Sequence, residues 1–219
     1  MDAAVVYESM YGNSERVAQA IAEGLCETVR VEVVDVTDPA AHPDALRHVQ
    51  LVVAGGPTHA LGMTRPATRA EAVQRATGPV SDRATGLREW VESLPPQEEG
   101  RLAATFDTRA TKVRSLPGSA ARGAARAMRR AGFRLVVPSA SFYVGDVEGP
   151  LDDGELDRAR AWGRALGKVL VPAESPGAGR GRAGPASPQA AARRAPGAGG
   201  RGRRRARARA SATRRPRAG

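Results

Sequence analysis

Short apolar runs and helically spaced apolar positions alternate along most of the chain. Ala3-Ala4-Val5-Val6-Tyr7 is a continuous run and predicts a strand buried on both faces. A polar loop follows, and then Val17, Ile21 and Leu25 recur every fourth residue on one face of a helix. The β-branched run Val29–Val36 predicts a second strand. A connection containing Pro and His leads through a weak helix over 44–49 to the apolar run Leu51–Gly55, the third strand. Helical stretches span Ala67–Ala76 and Gly86–Leu94, and Pro95-Pro96 ends the second. Leu102–Asp107 is a fourth strand, and Ser119–Ala131 an Ala- and Arg-rich helix stopped by Gly132. Arg134–Pro138 is a fifth strand, with a resumption over Ser141–Val144 left open. The final helix, 153–170, carries Leu156, Ala159, Gly163, Leu166 and Leu170 on one face with Trp162 beside it, and Asp153 is a candidate cap.

This βα alternation calls for a parallel sheet with helices on both faces. Ligands of such sheets bind beyond the carboxyl ends of the strands, at a switch in strand order. Three loops leave those ends: Glu8–Ser14, Gly56–Pro66 and Asp107–Gly118.

The first loop, Ser9-Met10-Tyr11-Gly12-Asn13-Ser14, has the parts of an anion site. The first N–H groups of a helix lack intrahelical partners and carry partial positive charge, so a phosphate is stabilised there. Gly12 admits a backbone conformation that a Cβ would penalise. Ser9 and Ser14 offer hydroxyls, Asn13 a side-chain or backbone donor, and Ser14 is a candidate N-cap. No Lys or Arg lies in the loop, which suits a monophosphate held by neutral donors and departs from a triphosphate loop. The bland alternative is an ordinary capped turn between strand and helix.

Charge divides the chain in two. Residues 172–219 hold 13 Arg and one acid, Glu174, a net of +12; the first 171 residues hold 21 basic and 22 acidic residues, a net of −1. The net charge of +11 is thus a property of the tail, and the body is no nucleic-acid-binding surface by net charge. Residues 1–171 suit one domain; 172–219, with no large apolar residue, are expected to be disordered. GC-rich codon bias accounts blandly for a tail of Ala, Gly, Pro and Arg, and nonspecific contact with nucleic acid or anionic membrane is the sharper reading. One cysteine, Cys26, precludes an internal disulfide. With no signal-peptide pattern and no apolar run long enough to span a bilayer, the expected setting is cytoplasmic.

Strand, Ser-x-Tyr-Gly-x-Ser, helix is similar to the FMN phosphate loop of the flavodoxin family, which usually reads Thr/Ser-x-Thr-Gly-x-Thr. The second loop, Gly55-Gly56-Pro57-Thr58-His59-Ala60-Leu61-Gly62-Met63, stands where that family covers one side of the isoalloxazine ring. Phe106-Asp107-Thr108-Arg109 stands where the family's third loop holds the other side and the pyrimidine edge. The resemblance covers residues 3–170. It implies a flavodoxin-like three-layer α/β sandwich with a five-stranded parallel sheet, order 2-1-3-4-5, and noncovalent FMN. The implied contacts are Ser9, Met10, Tyr11, Gly12, Asn13, Ser14, Pro57, Thr58, His59, Ala60, Leu61, Gly62, Asp107, Thr108 and Arg109, with no catalytic residue and no metal. The chain departs from the family in lacking Trp or Tyr in the second and third loops; Phe106 is expected in the core, and Tyr11 is expected to offer its backbone N–H. Ser-Met-Tyr-Gly also resembles the loop of flavodoxin-like quinone reductases.

Three functions follow as alternatives. The first is an electron carrier supplied by a separate reductase and passing electrons to an unspecified acceptor. The second is an FMN-dependent NAD(P)H:quinone-type oxidoreductase. The third is a flavin-free fold acting on nucleic acid through the tail. Phosphate-accepting signalling domains share the fold but need clustered acids after the first strand, where only Glu8 stands. His42 and His48 read as surface residues, and His59 as a ring contact or a solvent-facing residue. Arg65, Arg69 and Arg109 read as scattered surface arginines in preference to a cationic rim. The pairs Asp152-Asp153 and Glu98-Glu99 and the pair Arg129-Arg130 read as solvated. No metal-ligand spacing and no Gly-x-Ser-x-Gly elbow occurs.

Overall fold

The computed structural model describes residues 2–78, 80, 84–97 and 100–170. The tail 172–219 and the pair Glu98-Glu99 lie outside the described residues. Among the described residues seven strands form one sheet: β1 (Asp2–Tyr7), β2 (Arg30–Asp35), β3 (Leu51–His59), β4 (Gly62–Met63), β5 (Leu102–Ala110), β6 (Arg134–Leu135) and β7 (Ala140–Val144). The order is β2-β1-β3-β5-β6, with β7 also on β5 and β4 turned back on β3. Apart from the β3–β4 hairpin every pairing is parallel. β6 and β7 run along the same strand, so they are two pieces of the expected fifth strand, and the expected order holds.

Five α-helices among the described residues flank the sheet: α1 (Asn13–Leu25), α2 (Pro66–Arg75), α3 (Leu87–Glu92), α4 (Ala120–Arg130) and α5 (Glu155–Leu170). Strand parity divides the core between the two faces. Ala3, Val5, Val53, Ala104 and Phe106 point to α1 and α5, packing on Ile21, Leu25, Phe142 and Leu166. Ala4, Val6, Val52, Ala54 and Ala103 point to α3 and α4, packing on Trp90 and Met128. α1 and α5 meet backbone to backbone: a Cβ on Gly163 would lie 2.1 Å from the Ile21 carbonyl oxygen, and one on Gly24 2.0 Å from that of Arg160.

Several expected boundaries move. β3 and β5 run on to His59 and Ala110, past the ends of their apolar runs, because the ladder continues in register through Gly56–Asp107 and Pro57–Thr108. Main-chain pairing does not need apolar side chains, provided that the buried polar ones find partners. The weak helix over 44–49 is a single 3₁₀ turn, Ala45–His48. Ser14 is not the N-cap of α1. Gly12 takes that position with φ 83°, and the Ser14 hydroxyl lies 2.7 Å from that of Thr108. Asp153 does not cap α5: the Gly154 carbonyl accepts the helix bond from the Arg158 N–H. The hairpin β3–β4 has no counterpart in the apolar pattern. Its two-residue turn, Ala60-Leu61, holds φ of 46° and 61° without the Asn or Gly that such turns favour.

Candidate functional site

The carboxyl ends of β1, β3 and β5 converge on a cleft of about 380 Å³, within the range of small-molecule sites. Of the residues expected at a ligand, Ser9, Met10, Tyr11, Asn13, Ser14, Pro57, Thr58, His59, Ala60, Leu61, Thr108 and Arg109 line it. Gly12, Gly62 and Asp107 do not, although each adjoins a residue that does.

The floor is the first loop. Gly12, in the left-handed region, turns the chain into α1 with open space where a Cβ would stand. Ser9 is 3% exposed, and its Oγ has no hydrogen-bond partner among the described residues. A buried hydroxyl without a partner costs about 1–3 kcal/mol unless something else occupies it. Ser9 Oγ, the first turn of α1 and the open side of Gly12 together form a neutral donor cradle, and a terminal phosphate fits that donor set. Neighbouring groups are already engaged. The Tyr11 hydroxyl donates to the Ala72 carbonyl at 3.0 Å and so is engaged within the protein. Burial, helped by the Glu148 charge, raises the Tyr11 pKa. Asn13 Nδ2 donates to the Glu148 carbonyl at 2.9 Å, and the Glu148 carboxylate accepts from the Thr77 N–H and hydroxyl.

The walls are aliphatic. Pro57 and Leu61 stand in the β3–β4 segment, Val113 and Leu116 after β5, Val144 at the end of β7 and Val147 beyond it. Ala110, Lys112, Val113, Leu116, Val144 and Val147 were not read from the sequence as site residues. The first four fall within the third loop, 107–118, where no motif singled them out, and Val144 and Val147 lie at and beyond the end of β7. Lys112 is held at 2.7 Å by Asp146. His59 lines the cleft and is half-buried; burial, with a lesser contribution from Arg69, holds its pKa below the ordinary histidine value.

Asp107 and Arg109 depart from the roles expected of them. Alternation along β5 points Asp107 toward α4, where Oδ2 accepts from the Thr58 hydroxyl at 2.9 Å and the Ala121 N–H at 3.1 Å. It thus ties β3 to the start of α4 from behind the wall. Arg109 is 5% exposed and donates to the carbonyls of Val113, Leu116 and Gly118, so it clamps the third loop.

Arg69 is likewise no surface residue, being 2% exposed. It donates to the Thr64 hydroxyl at 3.1 Å, to Glu89 at 3.0 Å and to the Ala84 carbonyl at 3.0 Å. Thr64 Oγ1 lies 2.8 Å from both carboxylate oxygens of fully buried Glu8, which also accepts from the Leu87 N–H at 2.7 Å. Burial works to raise the Glu89 pKa, but hydrogen bonds from Arg69 and the Gly86 N–H outweigh it and hold the group below the usual carboxylate value. This network fastens the end of β1, the chain after β4, α2 and the start of α3, and so fixes the second loop from below. A single Glu, Thr or Arg in sequence gives no sign of it. Arg65 is exposed, as are His42, His48, Asp153, Arg129 and Arg130, in line with a surface role. No group of acids, histidines and cysteines among the described residues could hold a metal ion, and no helix there is long and apolar enough to cross a membrane.

The flavodoxin family model matches residues 5–80, the segment that builds the first two loops. No curated protein matches the chain. Among solved structures, a flavodoxin from the domain Archaea aligns over 77% of this chain and 99% of its own, at 23% identity and a TM-score of 0.53. Flavodoxin 2 of Bacillus cereus aligns over 78% and 100%, at 17% identity and 0.56. The Flv1 flavodiiron core of Synechocystis sp. PCC6803 aligns over 78% of this chain but 36% of its own, at 18% identity and 0.54. At these identities the solved structures show the fold, and the family match falls on the strand, loop and helix that carry the phosphate cradle. The chain is similar to the flavodoxin family over residues 5–80, and it shares the fold of the solved flavodoxins.

Proposed function

We propose that the protein is an electron carrier that holds FMN, the cofactor of the flavodoxin family it resembles, without a covalent bond. The observation that carries this reading is the partnerless buried hydroxyl of Ser9 at the foot of a cleft whose floor offers only neutral donors. Bound FMN supplies the redox chemistry, and the chain supplies grip, placement and exclusion of water. Ser9 Oγ and the backbone N–H groups at the start of α1 hold the phosphate. Leu61, Pro57 and His59 on one side and Val113, Leu116 and Val144 on the other enclose the ring. Thr58, Thr108 and Arg109 contribute through the walls they brace. No side chain need transfer a proton for electrons to pass, which favours a carrier over an enzyme with its own acid or base. Residues 1–171 form the functional unit, and electrons come from a separate reductase.

A visible absorption spectrum of the purified full-length protein tests the reading. Bound flavin is expected, with FMN taken in preference to riboflavin in a fluorescence-quenching titration. Turnover of NADH or NADPH with a quinone is expected to be slow without an added reductase and electron uptake rapid with one. Rapid saturable NAD(P)H:quinone turnover by the protein alone would place it instead among oxidoreductases, and absence of flavin binding would overturn the proposal.

A further inference from the structure

Charge in the body is balanced in sum and unbalanced in space. Residues 110–134 hold seven cations and no acid, whereas the rest of residues 1–171 holds fourteen cations and twenty-two acids. Four of the seven, Arg122, Arg126, Arg129 and Arg130, lie on α4 at the spacing of one helix face, and all four are exposed. The opposite face of α4 is small and apolar: Ala120, Ala121, Ala124, Ala125 and Met128 are buried against the sheet. None of the four arginines makes an ion pair with a described residue. Elsewhere Arg30, Arg47, Arg158 and Arg160 each pair with an acid. Among the described residues this arginine face has no ion-pairing role.

Its position gives it one. The first turn of α4 abuts the cleft: the Ala120 N–H donates to the Thr58 hydroxyl at 2.8 Å, and Gly123 stands against Met63. A Cβ on Gly118 would lie 2.7 Å from the Leu61 carbonyl oxygen, so the hairpin tip rests on the chain that enters α4. From Arg122 to Arg130 the row then extends roughly 12 Å away from the mouth. At the mouth, Leu61 and Leu116 are 41% and 45% exposed, with Arg114 and Arg65 exposed beside them in sequence. Apolar side chains surrounded by charged ones are the anatomy of a protein–protein contact, with a dry centre and a polar rim. A phosphate backbone would leave the leucines without a use, and no exposed aromatic residue stands in the row to stack on a base.

Resting on the carrier function proposed above, we infer that the lip of Leu61 and Leu116 and the arginine row of α4 are the docking surface for an electron-transfer protein with an acidic face. The leucines bring the partner over the cleft, and the arginines orient it. The acidic remainder of the body repels the same partner, so encounters are steered to the face where electrons can pass.

A plant-type [2Fe–2S] ferredoxin, an acidic one-electron protein, serves as the probe. In stopped flow the reduced probe loses one electron and the FMN on the full-length protein gains it. The variants are Arg122→Gln/Arg126→Gln, the same with Arg129→Gln and Arg130→Gln added, and a tail control with Arg203, Arg204, Arg205 and Arg207 changed to Gln. Glutamine keeps the helix propensity, and circular dichroism and FMN affinity report that each protein is intact. The quadruple α4 variant is expected to lower the second-order rate constant at least tenfold at low salt and to flatten its salt dependence. The double variant is expected to lower it about threefold, since the steering gained from such charges spans about 10- to 1,000-fold in all. The tail control is expected to stay within twofold. Equal losses in the α4 and tail variants, or no loss in the α4 variants, would overturn the assignment. So would an α4 variant that keeps its rate and loses affinity for a DNA or RNA oligonucleotide, which would make the surface a nucleic-acid site. If the protein binds no FMN, the carrier reading fails by itself, and calorimetric titration of the probe into flavin-free wild type and variants still decides the docking surface.

Discussion

The two ends of the cleft are built in opposite ways. At the phosphate end one continuous segment does everything: β1 stops, Gly12 turns the chain at φ 83°, and α1 begins. At the ring end the second loop comes from β3 and β4, but its position is set by residues far away in sequence. Glu8 reaches it through Thr64, Arg69 joins it to Glu89 and Ala84, and Asp107 ties Thr58 to α4. A cradle for a phosphate needs only helix N–H groups and a residue free of Cβ strain, which a few neighbours can supply. A slot for a flat ring needs two walls at a fixed separation, and only long-range struts can hold them. Local damage should therefore impair ligand grip at the first end and folding at the second.

The largest expected effect is at the ring end. Arg69→Met removes the buried cation that holds Glu89, the Thr64 hydroxyl and the Ala84 carbonyl, and should destabilise the domain by about 3–5 kcal/mol in urea unfolding. A loss below about 1 kcal/mol would mean that the network only decorates the loop. Next is Gly12→Val. The Cβ itself meets nothing within 4 Å, so the stability cost is that of a left-handed β-branched residue, about 1–2 kcal/mol. FMN affinity, in contrast, should fall beyond detection in a quenching titration, because the side chain fills the approach to the phosphate. The two variants thus invert the ratio of folding loss to binding loss. Equal ratios would erase the distinction between the ends.

The same contrast explains what could be read from the sequence. The sheet order, the five strand positions and the first loop were legible because each rests on a local signal: an apolar run, a helical period, a glycine at a turn. Ser14 misled because a hydroxyl before a helical stretch is an ordinary cap signal, whereas in the fold it lies two residues past the cap, against Thr108. Arg69 and Arg109 were read as surface residues because arginine is rarely buried. Their partners, separated by 4 to 20 residues in the chain and including five main-chain or hydroxyl oxygens, leave no mark in composition. The hairpin over Ala60-Leu61 was invisible for a related reason. Its turn lacks the usual residues and is held by the packing around it.

Ser9→Ala sharpens the comparison at smaller scale. Removing a buried hydroxyl without a partner should leave the flavin-free protein as stable as wild type or slightly more so. FMN affinity should drop by about 1 kcal/mol, roughly fivefold, and riboflavin affinity should not change, since riboflavin offers no phosphate to lose. A parallel fall for both flavins would move Ser9 from the phosphate to the ring.

The smallest effect belongs to His59, the one titratable group of the second loop that faces the cleft. Burial, then the Arg69 charge, holds its folded pKa below that of the unfolded chain, while a hydrogen bond with the Thr68 backbone and the Glu71 charge act the other way. The unfolded chain therefore binds this proton more readily, and stability must rise with pH across the window between the two values. The contribution is complete above the ordinary histidine value near 6.5 and is lost as pH falls below it toward the folded pKa. His59→Gln removes that titration while keeping a polar side chain. Between pH 7 and pH 5, wild type should lose more unfolding free energy than the variant, by less than the effects above, because His59 is only half-buried. Parallel pH profiles would show that His59 turns to solvent, and the second wall would then lack the one polar ring assigned to it.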